Sequence, residues 1–455
     1  MGNIKFTPTD SLSYDYTEEK YWDKSALRDE IDRTFEICSS CRLCFKYCDS
    51  FPKLFNFIDN NNIKATQLTE DQIGDINDSC FQCKICYFKC PYTKADGHEF
   101  NLDFPRLILR YRAQKVKEKG LPINQKIMSN PDLIGKIGNF TAPFSNWANK
   151  NSLNRTLMEK TAGIHRKKDL PEFAIQTFCN WFGKNKNKFY TSDEECVDKV
   201  ILFHTCFGNF NNTEIAKDTV FVLHKNKIKI EVPDMNCCGM PALEKGDTKF
   251  AKSQALQNFN TLFPYVVKGY KIVVLNPTCS LTMKDEYPQL LKNEFEKEKL
   301  ENFKKSVFDL NEYLFTLKRE QKFNREFSST PGKITYHVAC HLRAQNIGYR
   351  SRDMMRLIPG TSFTLVEECS GHDGTWSMMK DNFENSMKIG SKAFEKITGS
   401  EHDIVASDCP LAAIQLKQGT GETVLHPIQV LAKAYKPDGF PNKIINEKND
   451  GEILK

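Results

Sequence analysis

The run Cys38-Ser-Ser-Cys41-Arg-Leu-Cys44-Phe-Lys-Tyr-Cys48 recurs further along the chain as Cys80-Phe-Gln-Cys83-Lys-Ile-Cys86-Tyr-Phe-Lys-Cys90. Both runs have the spacing C-x2-C-x2-C-x3-C, and Pro91 follows the second. Three cysteines this close together on a tight loop can hold three corners of a compact metal cluster. The doubled run therefore predicts a metal-binding module in the N-terminal part of the chain.

This spacing is the one with which bacterial ferredoxins bind [4Fe–4S] clusters, and in two-cluster proteins the fourth cysteine of each run ligates the other cluster. We therefore predict two clusters with crossed ligation. A structural zinc site would use two pairs of ligands, and a disulfide framework would need an oxidising compartment, so both fit less well. The predicted ligands are Cys38, Cys41, Cys44 and Cys90 for cluster 1, and Cys80, Cys83, Cys86 and Cys48 for cluster 2.

Composition agrees with a metal-binding protein of ordinary polarity. The chain has 455 residues, 17 cysteines, 40% hydrophobic and 27% charged residues, and a formal net charge of +6. Its lysine clusters are scattered, which favours solvated faces over a nucleic-acid surface. No apolar stretch approaches the roughly 18 residues of a membrane span, and the first residues lack the apolar core of a secretory signal. We expect a cytoplasmic protein, soluble or attached peripherally at the inner face of the membrane.

The pattern of breaks and apolar periodicity predicts five segments. A mostly helical cluster domain covers residues 1–120, with a helix from Pro105 to Gly120, because proline suits the first helical turn and glycine the end. A helical connector covers 121–196 and includes a packed helix that begins at Leu170. Two α/β domains cover 197–330 and 331–440, and a tail covers 441–455. Cys179 and Cys196 have no companion at ligand spacing and are interpreted as ordinary thiols.

The two α/β domains form an internal repeat. Cys206, Cys237 and Cys279 of the first copy correspond, at a near-constant offset, to Cys340, Cys369 and Cys409 of the second. Short apolar strands alternate with helical stretches, which predicts a parallel sheet covered by helices. In the first copy the strands are predicted at Val200–His204, Ile228–Val232 and Ile272–Leu275, and the helices near 213–225, 248–262 and 280–296. The cysteines follow the carboxyl ends of the strands, where open α/β sheets bind ligands.

With these features the chain resembles the iron–sulfur subunits of anaerobic glycerol-3-phosphate dehydrogenase and of glycolate oxidase, and heterodisulfide reductase subunits with cysteine-rich "CCG" domains. Glu159–Arg166 and Tyr336–Asn346 are most similar to the glycerol-3-phosphate dehydrogenase subunit, whereas Cys369–Thr375 resembles heterodisulfide-reductase-related proteins found with rubrerythrins. The resemblance implies an α+β multidomain protein, with a helical two-[4Fe–4S] ferredoxin-like domain followed by two repeated α/β CCG domains.

The CCG pattern of a cysteine, a Cys-Cys pair and Cys-x-x-Cys is incomplete in both copies. By resemblance, the first copy offers Cys206, Cys237, Cys238 and Cys279, with Thr282 at the last position. These four thiolates suffice for a third cluster. The second copy offers Cys340, Cys369 and Cys409, with Ser370 and Ala412 at the other positions. Its site stays incomplete unless His341, His372 or an exogenous ligand contributes, and otherwise this half is degenerate and packs against a partner.

The resemblance implies an electron-transfer protein that relays single electrons between a flavoprotein dehydrogenase, of glycerol-3-phosphate or hydroxy-acid type, and an acceptor. The chain has no Gly-x-Gly-x-x-Gly between strand and helix, so we do not expect it to carry out hydride chemistry alone. Two alternatives remain open. One is a thiol–disulfide reductase of the heterodisulfide type, and the other is a redox partner of a rubrerythrin in peroxide defence.

Overall fold

The computed structural model describes residues 6–440, so the predicted tail 441–455 lies outside the described residues. The contacts divide the chain into two compact units. The first contains residues 6–130 together with 239–254 and 344–346, and the second contains the other described residues. All 17 cysteines lie within the described part, and all are free thiols.

The first unit is helical, with a core built around Phe35, Phe51, Leu54 and Leu107. The predicted helix from Pro105 to Gly120 is confirmed: Asp103 caps its first turn by accepting a hydrogen bond from the Arg106 N–H, and Gly120 ends it. The helices of the N-terminal part are α1 (Lys24–Cys41), α2 (Ser50–Asn61), α3 (Glu70–Asp78), α4 (Ile85–Lys89), α5 (Phe104–Lys119) and α6 (Ile123–Met128).

The second unit starts with four helices, α7 (Pro131–Phe140), α8 (Phe144–Lys150), α9 (Ser152–Ala162) and α10 (Phe178–Asn185). The prediction of a helix from Leu170 is wrong, since α10 begins only at Phe178, capped by Thr177. The preceding residues hydrogen-bond to other segments instead. The Phe173 N–H donates to the Asn146 side chain, and the Ala174 N–H donates to the Phe210 carbonyl.

The internal repeat is confirmed, because the second unit contains two four-stranded parallel sheets with the same strand order. The first has the order β2-β1-β3-β4 and the second β6-β5-β7-β8. The strands are β1 (Asp198–Phe203), β2 (Ile228–Glu231), β3 (Lys271–Val274), β4 (Val307–Asp309), β5 (Lys333–His337), β6 (Ser362–Val366), β7 (Ile404–Ser407) and β8 (Val424–Leu425). One continuous apolar core joins the two repeats, with Leu202 and Val273 from the first and Tyr336 and Ile428 from the second.

Helices cover these sheets, but two details differ from the prediction. Each sheet has a fourth strand, β4 or β8, and the predicted helix over 280–296 is interrupted by a π-helical turn at Thr282–Glu286, just before Pro288. Proline lacks the N–H that a continuous helix needs. The helices that follow β1 along the chain, of which α13 belongs to the first unit, are α11 (Thr205–Phe210), α12 (Thr213–Lys225), α13 (Met240–Glu244), α14 (Thr248–Val267), α15 (Pro277–Leu281), α16 (Tyr287–Leu290), α17 (Lys297–Ser306), α18 (Leu310–Arg319), α19 (Cys340–Ala344), α20 (Arg350–Met355), α21 (Phe383–Thr398), α22 (Pro410–Thr420) and α23 (Pro427–Ala434).

Candidate iron–sulfur sites

The two N-terminal cysteine runs make the same turn between their second and third cysteines. Arg42 and Lys84 occupy equivalent positions and both have left-handed backbone conformations, with φ of 55° and 58°. Such values are uncommon for residues other than glycine and mark a tight local turn. The first three cysteines do not share one loop, because Cys38 and Cys41 end α1 and Cys86 lies in α4, but a left-handed residue follows the second cysteine of each run.

The first set of four cysteines lines one small cavity. Cys38, Cys41, Cys44 and Cys90 share it with apolar side chains that include Phe51, and its empty volume, with the open mouth included, is about 300 Å³. Burial raises the pKa of the Cys38 thiol well above its ordinary value, and Cys44, Cys90 and Cys41 raise it further. Burial likewise raises the pKa of Cys44 to about 12, with Cys90 and Cys41 adding to the effect. The fourth cysteine of the second run thus lies beside the first three of the first run.

The second set of cysteines combines the fourth cysteine of the first run with the first three cysteines of the second run. Burial raises the pKa of Cys48, and the neighbours that raise it further are Cys80 and Cys83. The pKa of Cys86 is also raised by burial and then by Cys83, Cys80, Cys48 and Cys44. Cys80 and Cys86 are buried. The structure therefore brings together both cysteine sets that the sequence pattern suggested, while ligation of a cluster by these sets stays a prediction.

Hydrogen-bond donors surround these sulfurs. The backbone N–H and the side-chain amide of Gln82 each lie 3.5 Å from the Cys80 sulfur, and Ser50 hydrogen-bonds to Cys48. Arg112 holds the same loop, because its guanidinium donates to the carbonyls of Asn77 and Cys80 at 3.0 and 2.7 Å. Donors to sulfur tune the reduction potential of an iron–sulfur cluster.

In the first repeat, four sulfurs form a connected group at the carboxyl end of the sheet. Hydrogen bonding with Cys206 and Cys238, followed by burial, raises the pKa of Cys237. Hydrogen bonding with Cys238, followed by burial, raises the pKa of Cys279. Cys237, Cys238 and Cys279 are only 4%, 2% and 6% exposed. Because β1, β2 and β3 end at one edge, cysteines distant in sequence meet there.

The loop that carries the Cys-Cys pair is held by hydrogen bonds. The Cys237 N–H donates to the Asp132 carboxylate at 2.6 Å, and the Asn258 side chain donates to the Cys237 carbonyl at 3.1 Å. Thr282, at the position of the missing cysteine, is buried and donates its hydroxyl to the Thr278 carbonyl at 2.7 Å. Its oxygen is thus engaged within the helical turn.

The carboxyl edges of the two sheets approach one another. Thr278 Oγ1 lies 2.7 Å from His341 Nδ1, and the His426 imidazole hydrogen-bonds to the backbone of both Leu275 and Asp408. Cys409 of the second repeat is close enough to Cys279 of the first to raise its pKa electrostatically. The cysteine-bearing loops of the two repeats therefore share one region of the second unit.

Sequence reasoning missed one side-chain pair, formed by Cys179 and His204, which precedes Cys206 closely in the chain. Cys179 Sγ lies 3.2 Å from His204 Nε2, and His204 Nδ1 lies 3.0 Å from the Thr205 carbonyl. A carbonyl oxygen only accepts, so Nδ1 carries the proton and Nε2 accepts from the thiol. Burial raises the pKa of Cys179 to about 11 and lowers the pKa of His204, so both groups stay neutral. Nothing in the sequence spacing connected these two residues.

In the second repeat, the Cys369 loop depends on Gly371. The Gly371 N–H lies 3.4 Å from the Cys369 sulfur, and the Gly371 carbonyl accepts from the Ser386 hydroxyl at 2.8 Å. Gly371 has φ of +73°, and a Cβ there would stand 2.0 Å from the Ser386 carbonyl oxygen. Because that oxygen belongs to the backbone, no flexible side chain can move aside, so only glycine fits.

We expect Gly371→Ala to destabilise the second unit by more than about 3 kcal/mol, because the cost of a left-handed alanine and the cost of a backbone clash add. Gly421→Ala is the matched control: Gly421 has φ of +77° but open space around its Cβ position, so only about 1–2 kcal/mol should be lost. Thermal unfolding followed by circular dichroism compares the two. Equal losses would contradict the steric argument.

A short segment, Gly163–Asp169, lies across the second repeat. The His165 N–H donates to the Met378 carbonyl at 2.8 Å, and its ring stacks on Phe383 at 4.1 Å. The next residues reach α22, where Lys168 donates to the Gln415 side-chain oxygen. Part of the Glu159–Arg166 stretch that carried the resemblance thus has a structural role beside the Cys369 loop.

A buried carboxyl pair lies between the two repeats. Asp309 ends β4, and Asp408 directly follows β7. Burial is the main cause that raises the pKa of Asp309 to about 8, and the neighbouring charges of Asp408 and Glu312 add to it. The Asn311 amide donates to Asp408 at 3.4 Å, and the Ser280 hydroxyl lies 3.5 Å from Asp309. Asp309 therefore keeps its proton at neutral pH.

Because native Asp309 retains its proton, the free energy of unfolding should fall as the pH rises. Unfolded aspartate loses its proton near pH 4, whereas native Asp309 holds it to about pH 8, so the native state binds more protons in between. Between pH 5 and 8, the free energy of unfolding of the wild type should fall by a few kcal/mol, and Asp309→Asn should not show this fall. Asparagine can still cap α18. Melting temperatures at pH 5, 6.5 and 8.5 measure the effect. Asp193→Asn, at an exposed ion pair with Lys229, is the control and should give no such gain. Parallel curves for wild type and Asp309→Asn would disprove the assignment.

The donor sets fit iron–sulfur clusters. Each N-terminal set has four cysteines from a shared neighbourhood, and the first-repeat group has four more, which is the ligand number that a [4Fe–4S] cluster takes. Within residues 6–440, no three His, Cys, Asp or Glu side chains are arranged around a position for a single metal ion. Bound iron would hold these thiols deprotonated, in spite of their raised pKa values.

Comparisons with known proteins identify the two repeats. Residues 200–284 and 334–417 each match the cysteine-rich domain family CCG. The C subunit of anaerobic glycerol-3-phosphate dehydrogenase from Escherichia coli K12 is 28% identical over 311 residues, which are 68% of this chain and 76% of that protein. Lactate utilization protein A of Bacillus pumilus is 27% identical over 217 residues, which are 46% of this chain and 87% of that protein. The corresponding protein of Geobacillus thermodenitrificans is 26% identical over 218 residues, which are 46% of this chain and 87% of that protein.

Proposed function

We propose, from the two cysteine-rich CCG domains of this chain and its homology to the glycerol-3-phosphate dehydrogenase protein and to lactate utilization protein A, that it relays single electrons in a flavoprotein dehydrogenase complex. The substrate of that complex would be glycerol 3-phosphate or a hydroxy acid. Two [4Fe–4S] clusters in the helical unit and a third in the first CCG domain would carry the electrons.

The observation that carries this proposal is the grouping of cysteine sulfurs in sets of four. Two sets lie in the helical unit, and one lies at the carboxyl edge of the first sheet. When bound, an iron–sulfur cluster supplies a one-electron acceptor and donor. The residues of this chain hold the sulfurs, bury them and donate hydrogen bonds to them, which sets the potential at which an electron is accepted.

The thiol–disulfide reductase alternative is less well supported. A disulfide substrate must reach the cluster that reduces it, but Cys237, Cys238 and Cys279 are almost fully buried. The rubrerythrin alternative rests only on the Cys369–Thr375 resemblance, and the glycerol-3-phosphate dehydrogenase and lactate utilization relatives give it no support.

The test is a steady-state assay of the iron-replete protein, purified anaerobically, with and without a co-purified flavoprotein. The protein alone should accept electrons from a chemical reductant but should not oxidise glycerol 3-phosphate, glycolate or lactate, because removal of hydride from a carbon needs a cofactor such as flavin. When the flavoprotein is added, oxidation of its substrate should reduce the clusters. Turnover by the isolated chain, or reduction of a disulfide substrate at comparable rates, would overturn the proposal.

Peripheral attachment to a membrane is the second part of the proposal. Within residues 6–440, no helix is long and apolar enough to cross a bilayer. Three consecutive helices nevertheless turn large apolar side chains outward. These residues, named the apolar surface, are Leu133, Ile137 and Phe140 on α7, Phe144 and Trp147 on α8, and Leu153 and Leu157 on α9.

The larger apolar side chains of these helices lie on the exposed face. The inward face of α7 carries Gly135 and Gly138, which pack against the rings of Phe210 and Phe173, while Phe140 is 90% exposed. The buried residue of α9 is Arg155, which donates to backbone carbonyls, whereas its leucines face outward. Exposed lysines lie on the same helices, at Lys136, Lys150 and Lys160. Outward apolar and aromatic residues flanked by lysines are typical of helices that lie on anionic membranes.

Flotation with phosphatidylglycerol-containing and with purely phosphatidylcholine vesicles tests this part. The wild type should float with the anionic vesicles. The double substitution Phe140→Ser and Trp147→Ser should abolish this flotation. Val267→Ser, at another exposed apolar residue, is the control and should float normally. Equal flotation of all three proteins would refute the assignment, and loss of flavoprotein binding without any change in flotation would assign the surface to the partner instead.

A further inference from the structure

His372 in the second repeat has a buried ring nitrogen without a hydrogen-bond partner. Its Nε2 atom is inaccessible to solvent and unpaired, whereas Nδ1 lies 3.3 Å from the Ser377 hydroxyl. A buried polar atom without a partner costs free energy, so native structures rarely retain one without a reason such as a bound ion. The imidazole belongs to the same tight loop as Cys369.

The other candidate histidine of this repeat, His341, has no ring nitrogen that is both buried and without a partner. His341 Nδ1 lies 2.7 Å from Thr278 Oγ1. Ser370, at the position of the missing cysteine, has its hydroxyl 3.4 Å from the His372 N–H. The ring nitrogen of His372 is therefore the buried donor atom that this loop leaves without a hydrogen-bond partner.

A buried cation lies near this loop. Lys168 is 3% exposed, and it hydrogen-bonds to the neutral Gln415 side chain rather than to a carboxylate. Gln415 donates to the Ser386 hydroxyl at 2.9 Å, which donates to the Gly371 carbonyl, and the Gly371 N–H faces the Cys369 sulfur. Lys168 is also close enough to His372 to interact with it electrostatically. A desolvated ammonium next to a cysteine loop favours an anionic ligand there.

We infer that the second CCG domain binds an iron–sulfur cluster through Cys340, Cys369 and Cys409 with His372 Nε2 as the fourth ligand, and that Lys168 offsets its negative charge. The inference rests on the proposed function only in that the chain carries clusters. Three thiolates contribute three negative charges, and a neutral imidazole adds none. In Rieske centres, histidine in place of cysteine raises the reduction potential, so this site should have a higher potential than its all-cysteine neighbours.

Pulsed EPR of the full chain, reconstituted anaerobically and poised so that this cluster is paramagnetic, tests the inference. The wild type should show the hyperfine coupling of a directly bonded ¹⁴N, which the all-cysteine clusters lack. His372→Ala should lose this coupling and one cluster's share of iron. His372→Cys should keep the iron, lose the coupling and shift the site to lower potential. His341→Ala is the matched control and should keep the coupling.

Lys168→Met should leave the nitrogen coupling in place and shift the midpoint potential of the same site downward, because removal of a positive charge favours the oxidised cluster. Absence of ¹⁴N coupling in the wild type, or its survival in His372→Ala, would overturn the inference. The signals of the N-terminal clusters are recorded in the same samples. If the N-terminal signals are present, the failure concerns the second repeat alone; absence of every cluster signal would instead contradict the part of the proposed function on which the inference rests, namely that the chain carries clusters.

Discussion

Replacement of Cys48 by serine is expected to perturb the cluster held mainly by Cys80, Cys83 and Cys86, and not the cluster of its own run. Replacement of Cys90 should perturb the cluster of Cys38, Cys41 and Cys44. The reason is geometric. Cys48 lies beside Cys80 and Cys83, and Cys90 lines the cavity of the first three cysteines. Each fourth cysteine therefore lies with the first three cysteines of the other run.

The effect should be large, because a serine oxygen is a poor substitute for a thiolate on iron and the affected cluster should be lost or converted to a three-iron form. EPR of each reduced variant, beside iron analysis, resolves which cluster changes. Cys196→Ser is the control, since Cys196 has no cysteine neighbour in the sequence pattern and should leave both signals intact. If each substitution alters only the cluster of its own run, crossed ligation is wrong.

Local signals explain what the sequence predicted well. The helix from Pro105 to Gly120 depends on a capping aspartate, a proline and a glycine within its own ends, and the structure has all three in those roles. The placement of Cys206 and Cys279 after strands follows from apolar strands that alternate with helices. Both patterns are contained in short windows of sequence, so they can be read without knowledge of the tertiary fold.

Tertiary contacts explain what the sequence did not predict. Residues 170–177 have helical periodicity, but the N–H groups of Phe173 and Ala174 pair with distant residues, so the segment does not form a helix. The contact of Cys179 with His204, and that of Lys168 with Gln415, join residues far apart in the chain that belong to no spaced motif. Only the folded second unit brings such pairs together.

The difference between local sequence signals and tertiary contacts also applies to the question of which sites bind a cluster. A count of cysteines left the second repeat with three ligands, and spacing could not choose between His341 and His372. Hydrogen bonding separates them, since His372 keeps a buried ring nitrogen without a partner, whereas neither ring nitrogen of His341 is both buried and unpaired. Whether a buried polar group has a hydrogen-bond partner depends on the folded structure, so a single sequence does not reveal it.

Replacement of Cys238 by serine should remove the cluster of the first repeat and leave both N-terminal clusters in place. Cys238 is 2% exposed and hydrogen-bonds to both Cys237 and Cys279, so it is the central member of the four-sulfur group. Thr282 cannot replace it, because its hydroxyl is bonded to the Thr278 carbonyl. The iron content should fall by about four atoms per chain, the content of one [4Fe–4S] cluster.

Cys179→Ser is the matched control for this prediction. Cys179 belongs to the same unit, but its thiol is hydrogen-bonded to His204 and not to a cysteine, so serine should preserve the iron content. Anaerobic iron and sulfide analysis, with EPR of the reduced samples, compares Cys238→Ser with the control and the wild type. Electron flow from the flavoprotein should also slow in Cys238→Ser if this cluster belongs to the relay. Unchanged iron in Cys238→Ser would mean that the four sulfurs of the first repeat hold no cluster, and a loss of equal size in Cys179→Ser would mean that the ligand set extends to Cys179.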